Sequence, residues 1–225
     1  MIRGVIFDLD NTLVDFMRMK NRAIDAAIDA MIDTGLQLTR DQAREKIFTI
    51  YDRKGIEYQN VFDMFLEAEL GEVDPRSLAA GITAYRRARD AELVLYPHVF
   101  ETLIQLSKRG LKLAVVTDAP RLQAWLRLYS LNLHHIFDYV VTYEDTGLRK
   151  PNPAPFCLAL ERLGLRAEEV VMIGDWAERD VVGAAGVGMV TAFARYGDTF
   201  HTEESGADYD LADISELLDI VDERS

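Results

Sequence analysis

Cysteine is all but missing from this chain. Cys157 is the only one, so no internal disulfide can form and packing must hold the fold together. A lone thiol fits a reducing compartment, and the expected location is the cytoplasm. Cations are also in short supply, with 25 Lys and Arg against 38 Asp and Glu and a formal net charge of −13. That balance excludes a nucleic-acid backbone or an anionic membrane as a general partner, while a small anion can still bind beside a local cation. Long apolar runs are missing too: no uninterrupted stretch could cross a bilayer. The first residues lack the charged-then-apolar pattern of a signal peptide, because Asp8 and Asp10 break the run. No repeat or low-complexity segment is present. His98, His134, His135 and His201 are scattered without metal-ligand spacing, and are read as structural or exposed.

What the chain does have is a hydrophobic content of 49% in 225 residues, enough for a core domain with an insertion. The organising stretch is residues 5–14, Val-Ile-Phe-Asp-Leu-Asp-Asn-Thr-Leu-Val. Its unbroken apolar start reads as a central parallel strand buried on both faces. Ligands in open parallel sheets bind beyond the carboxyl ends of the strands, which puts Asp8 and Asp10 at the mouth of a site. Two carboxylates held that close repel and need a positive partner.

Residues 15–93 carry no convincing strand. Ala23, Ile24, Ala27, Ile28, Met31 and Ile32 recur at helical spacing before Gly35, and residues 41–51, 61–70 and 75–92 give three more helical patterns. This block is expected to be an all-helical insert standing as a lid over the site, with residues 1–14 and 94–225 forming the core domain. From residue 99 onward helices and strands alternate. Strands are expected at 113–116, 139–142, 170–173 and 189–193. Helices are expected from residue 99 to Gly110, after Pro120 with Asp118 as a candidate N-cap, at 156–163, and from 179 to 185. Cys157 is expected to pack in the core. Residues 208–222 suggest an edge strand and a closing helix. The fold class is α/β: a doubly wound parallel sheet with a helical domain inserted between its first two strands.

On this topology Asp8, Asp10, Thr117, Lys150, Asp175 and Asp180 fall on one sheet edge. Four carboxylates and one lysine make a net negative pocket that a divalent hard cation would relieve. Mg²⁺ suits it, held by Asp8 and Asp175 directly and by Asp180 as ligand or anchor. Lys150 and the Thr117 hydroxyl would then hold phosphate oxygens. A carboxylate can act as nucleophile toward phosphorus, and a second one two residues on can serve as acid and then base.

Four segments in order carry a resemblance: Asp8-Leu9-Asp10-Asn11-Thr12-Leu13, Val116-Thr117-Asp118, Arg149-Lys150-Pro151, and Gly174-Asp175-Trp176-Ala177-Glu178-Arg179-Asp180. Together they resemble the haloacid dehalogenase (HAD) superfamily, in its phosphatase branch with a helical cap. The resemblance implies a Rossmann-like core of strand order 5-4-1-2-3. It implies a Mg²⁺-dependent phosphoric monoester hydrolase working on a small phosphorylated metabolite. By the same resemblance Asp8 becomes the phosphoaspartate, Asp10 is the acid and base and lends its carbonyl to the metal, and Asp175 and Asp180 complete the metal site. Thr117, Asp118 and Lys150 form the phosphate-binding set. Trp176, Arg179 and His98 depart from the usual residues at their positions. The alternatives are a phosphomutase on the same scaffold, acting on a sugar phosphate, and a non-catalytic binding protein. Oligomeric state stays open.

Taken singly, each of these residues has an ordinary reading as a turn, a cap or a solvated loop residue. Convergence of all of them on one edge is what favours chemistry. Gly183, Gly186 and Gly188 precede a strand instead of following one, so they read as a helix end and a tight turn rather than a nucleotide loop. Arg53, Lys54 and Tyr58, in a polar break of the insert, read as solvated.

Overall fold

The strand nearest the amino terminus lies in the middle of the sheet. In the computed structural model, which describes residues 1–224, six strands form one sheet in the order β3-β2-β1-β4-β5-β6. They are β1 (Gly4–Phe7), β2 (Lys112–Val116), β3 (Tyr139–Val141), β4 (Val170–Gly174), β5 (Val190–Ala194) and β6 (Tyr209–Leu211). Every pairing is parallel. β1 pairs Gly4 with Lys112 and Phe7 with Val115 on one side, and the same two residues with Val170 and Ile173 on the other. A strand with neighbours on both edges and helices on its faces has no solvated side, so all four residues of β1 are apolar or glycine and buried.

Ten helices accompany the sheet among the described residues. They are α1 (Phe16–Asp33), α2 (Arg40–Lys54), α3 (Val61–Leu70), α4 (Pro75–Glu92), α5 (Val99–Lys108), α6 (Arg121–Ser130), α7 (Tyr143–Thr146), α8 (Pro153–Leu163), α9 (Val182–Gly186) and α10 (Leu217–Glu223). Two compact units result. One holds Met1–Phe16 and the chain from Val94 onward; the other is Met17–Leu93.

In the sheet unit, Phe156, Ala159 and Leu163 of α8 and Ala184 of α9 pack on Ile6, Ala114, Val116 and Met172. Strand alternation turns Val5, Phe7, Leu113 and Val115 to the opposite face, where they are also buried. The helical unit has its own core. Ile24, Ala27, Ile28 and Met31 of α1 meet Ala43, Ile47 and Tyr51 of α2 and Phe62, Phe65 and Leu66 of α3. Thr39 and Gln42 close a capping box on α2, and Asp74 caps α4 ahead of Pro75.

Three local expectations need correction. Cys157 is exposed. On α8 the inward residues are Phe156, Ala159 and Leu163, and Cys157, one step past Phe156, is rotated by about 100° toward solvent. Asp118 does not cap α6; Pro120 holds that position with no side-chain cap, and the Asp118 carboxylate is used elsewhere. The helix expected from 179 to 185 is in fact a π-helical turn, Ala177–Val181, followed by α9. The Val182 N–H bonds the Ala177 carbonyl across this wider turn, and the Asp180 carboxylate accepts from the Trp176 N–H at 3.0 Å. His98, unexplained by sequence, sits at φ +60° before α5, with its Nδ1 2.7 Å from Asp213 Oδ2.

Candidate active site

The site begins where β1 ends. The Asp8 N–H still bonds the Ile173 carbonyl at 2.9 Å, so the sheet ladder itself aims this residue. Asn11 then takes a left-handed conformation, φ +60°, and its N–H reaches back to the Val14 carbonyl at 2.7 Å. The resulting turn brings Thr12 round, and its hydroxyl donates to Asp175 Oδ1 at 3.2 Å. Tyr196 donates to the Thr12 carbonyl at 2.9 Å and fixes the turn from beneath. Gly197 lies so close to the Asn11 carbonyl that any Cβ there would overlap it. Gly174 is restricted in the same way by the Asp180 carboxyl group, so the last residue of β4 can only be glycine.

Lys150 links the separate loops. Its Nζ stands 2.5 Å from Asp8 Oδ1 and 2.6 Å from Asp180 Oδ1. Asp8, Asp175 and Asp180 are all buried, and each offers an oxygen within 4.8 Å of the others. Burial pushes the Asp8 carboxyl up to about 7; Lys150 works against this, and Asp180 and Asp10 add to it. Asp175 is raised well above the ordinary range by burial and by the charges of Asp8 and Asp180. Burial disfavours the Lys150 ammonium, but Asp180, Asp8 and Asp118 outweigh it and hold its pKa above the ordinary value. The two directions agree. Three carboxylates surround one ammonium, so the ammonium stays charged and the excess negative charge falls on the acids.

The donor set suits a metal by its chemistry. It consists of hard oxygens, and three carboxylates against one ammonium leave two negative charges in excess. A divalent hard cation is the complement.

Thr117 is buried at the end of β2, its N–H tied to Val141 O at 2.9 Å and its Oγ1 accepting from the Ala119 N–H at 3.1 Å. Asp118 is a brace: Oδ1 accepts from the Lys150 N–H at 3.0 Å and Oδ2 from Arg179 Nη1 at 3.1 Å. Its carboxylate is spent on those two loops, so any contact it makes with phosphate would run through its backbone. Arg179 lies 3.6 Å from the centroid of Trp176, whose ring is 4.3 Å from that of Phe200, so the two unusual residues of the fourth segment form one stacked edge.

Asp10 has a partner that sequence reasoning missed. Arg127 of α6 donates from Nη1 to Asp10 Oδ2 at 2.8 Å. A signal was there to be read. Ala124, Arg127 and Leu128 share the inward face of α6, and a charge at that spacing needs a buried partner. Tyr196 and Gly197 gave no comparable sign, because their importance lies in contacts across more than 160 residues.

A protein family described as haloacid dehalogenase-like hydrolase matches residues 2–188. A glyceraldehyde 3-phosphate phosphatase of Methanocaldococcus jannaschii is 38% identical over 224 residues, covering 98% of this chain and 97% of that protein. A ribulose-1,5-bisphosphate 5-phosphatase of Halopiger xanaduensis is 30% identical and covers 98% of this chain and all of the other. Among solved structures, a HAD phosphatase from Thermococcus onnurineus superimposes with a TM-score of 0.72 at 28% identity, over 98% of each chain.

Proposed function

The chain belongs to the haloacid dehalogenase-like hydrolases, and from that premise we propose that it is a Mg²⁺-dependent phosphatase acting on a small phosphomonoester through an aspartyl-phosphate on Asp8. The observation that carries this reading is Lys150 held between Asp8 and Asp180, with Asp175 beside them. A structural ion pair needs one carboxylate; three buried acids on one lysine make a site for an anion and a cation together.

Asp8, Asp175 and Asp180 would hold the metal, with the Asp10 carbonyl. Bound there, Mg²⁺ supplies charge neutralisation for the phosphoryl group in transfer. Lys150 and Thr117 orient that group for in-line attack. An Asp8 oxygen forms a bond to phosphorus as the ester P–O bond breaks, and Asp10 gives its proton to the leaving oxygen, releasing the alcohol. Asp10 then takes a proton from water as that water attacks phosphorus, which frees phosphate and restores Asp8.

The helical unit Met17–Leu93 is read as the family's cap, the part that selects the substrate. The 38% relative bears the name of glyceraldehyde 3-phosphate, and a phosphorylated short sugar of that kind is the proposed substrate. The cytoplasm is the proposed location. Among the described residues no helix is long and apolar enough to cross a membrane, and the one cysteine is an exposed free thiol.

The test is phosphate release by the purified chain with Mg²⁺ from glyceraldehyde 3-phosphate, sugar phosphates, phosphoglycolate and nucleoside monophosphates. Turnover that stops on chelation and returns with Mg²⁺ is expected. No release from any ester in the set would overturn the reading.

A further inference from the structure

Asp10 has to deliver a proton to one oxygen and later collect one from a water, so the direction of its carboxylate matters as much as its presence. The turn after β1 fixes the Asp10 backbone and leaves the side-chain torsions to its neighbours. Arg127 is a charged neighbour of its carboxylate. Its Nη1 is 2.8 Å from Asp10 Oδ2, and its side chain is 8% exposed against 21% for Asp10. The guanidinium carbon lies 4.6 Å from the centroid of Phe16, a buried ring. Arg127 is thus clamped by a ring contact, and the planar guanidinium can hold a carboxylate oxygen in one direction. A hydrogen bond held on Oδ2 restricts rotation of the carboxylate, and with it the direction of Oδ1. The three residues come from one unit of the chain, with Asp10 and Phe16 on either end of the first turn and Arg127 on α6.

We propose that Arg127 is a positioning residue for catalysis, setting the orientation of the Asp10 carboxylate toward the leaving oxygen through the Arg127–Asp10 pair backed by Phe16. The inference rests on the phosphatase reading and deepens it. In this role Arg127 acts through Asp10 and not on the phosphate or the leaving group.

Leaving-group dependence separates this role from a structural one. An alkoxide needs a proton as it departs, whereas p-nitrophenolate departs with little help. The value of kcat/KM reports the steps up to release of the alcohol, so it isolates the acid step. The full chain with Mg²⁺ is assayed on glyceraldehyde 3-phosphate and on p-nitrophenyl phosphate. If the wild type hydrolyses none of the esters in the panel, the phosphatase reading fails, not this one; if it prefers another alkyl ester of the panel, that ester replaces glyceraldehyde 3-phosphate. In Arg127→Gln, kcat/KM on the alkyl ester should fall by about 100-fold, with less than about threefold loss on the aryl ester. With Asp10→Asn as background, Arg127→Gln should add less than about twofold on the alkyl ester, because residues acting as one unit are not additive.

Equal losses on the two esters, or a full further loss in the double variant, would overturn the proposal and make Arg127 a packing residue. If Arg127→Gln does not fold, Arg127→Lys carries the test, since it keeps the charge and loses the planar fork. The same bias at smaller size is then expected, and an unchanged ratio between the esters overturns the proposal.

Discussion

Lys20 in the helical unit and Lys150 at the carboxyl edge of the sheet are buried to nearly the same degree, 3% and 4% exposed, yet their surroundings differ in kind. Beside Lys20 stand the Tyr85 hydroxyl at 3.1 Å and the Tyr51 ring at 4.3 Å. Around Lys150 stand two carboxylates, with a third beside them. The rest of the helical unit keeps its charges in partly or well exposed pairs, such as Arg40 with Asp29 and Lys46 with Glu69, over an apolar core. The sheet edge reverses that arrangement. Its charges are buried and crowded, and crowding of one sign is costly unless a ligand completes it. The difference marks which region is built to stand alone and which is built to bind.

The largest expected effect lies on the sheet edge. Asp8→Asn should cut phosphate release by roughly 10⁴-fold or more, since it removes the nucleophile, while circular dichroism shows the fold kept. Wild-type turnover in that variant would mean that the nucleophile is another group.

Next comes the lysine pair itself. In metal-free protein, Lys150→Met should cost about 3–5 kcal/mol by leaving buried acids without their cation, a drop in Tm of roughly 10 °C for a chain of this size. Lys46→Met, which breaks a partly exposed pair with Glu69 in the helical unit, should cost less than about 1 kcal/mol. Thermal unfolding of the two variants side by side reads the comparison directly, and equal losses would erase it.

A smaller effect is expected in the pH dependence. The Asp8 carboxyl is raised from 3.8 to about 7 in the folded chain, so the folded state holds its proton more tightly than the unfolded state. Metal-free stability should therefore fall as pH rises through that window, and level off above it. With Mg²⁺ the slope should flatten or reverse, because the metal favours the ionised acids. A metal-free Tm that rises through the same window would show that these acids are stabilised as anions by the protein alone.

The smallest effect is expected at the stacked edge. Arg179→Ala should change stability by less than about 1 kcal/mol, because the guanidinium is one-third exposed and solvent screens its pair with Asp118. A larger loss would place the brace through Asp118 inside the buried cluster.

Much of this was legible in the residues themselves, for reasons that differ by region. β1 could be read because a strand buried on both faces needs an unbroken apolar run, and the acids following it are then fixed to one edge by topology. The sheet order was implied by the family resemblance, and β6 at the far edge is the edge strand expected within residues 208–222. The helical unit could be read from spacing alone. What escaped depends on contacts between distant segments. The π turn at 177–181, with the Asp180 carboxylate on the Trp176 N–H, is a local register that no apolar periodicity encodes. Cys157 was misplaced because its neighbours are apolar while the helix turns it outward. Asp118 looked like a cap because it precedes a helix, and only the folded loops show it holding Lys150 and Arg179.

Calorimetric titration of Mg²⁺ into the metal-free wild type and into Asp175→Asn bears most directly on the claim that a divalent cation completes the crowded acids. One binding event per chain is expected for the wild type, weakened by at least about tenfold in the variant. Wild-type protein that takes up no Mg²⁺, or a variant that binds it equally well, would contradict the account.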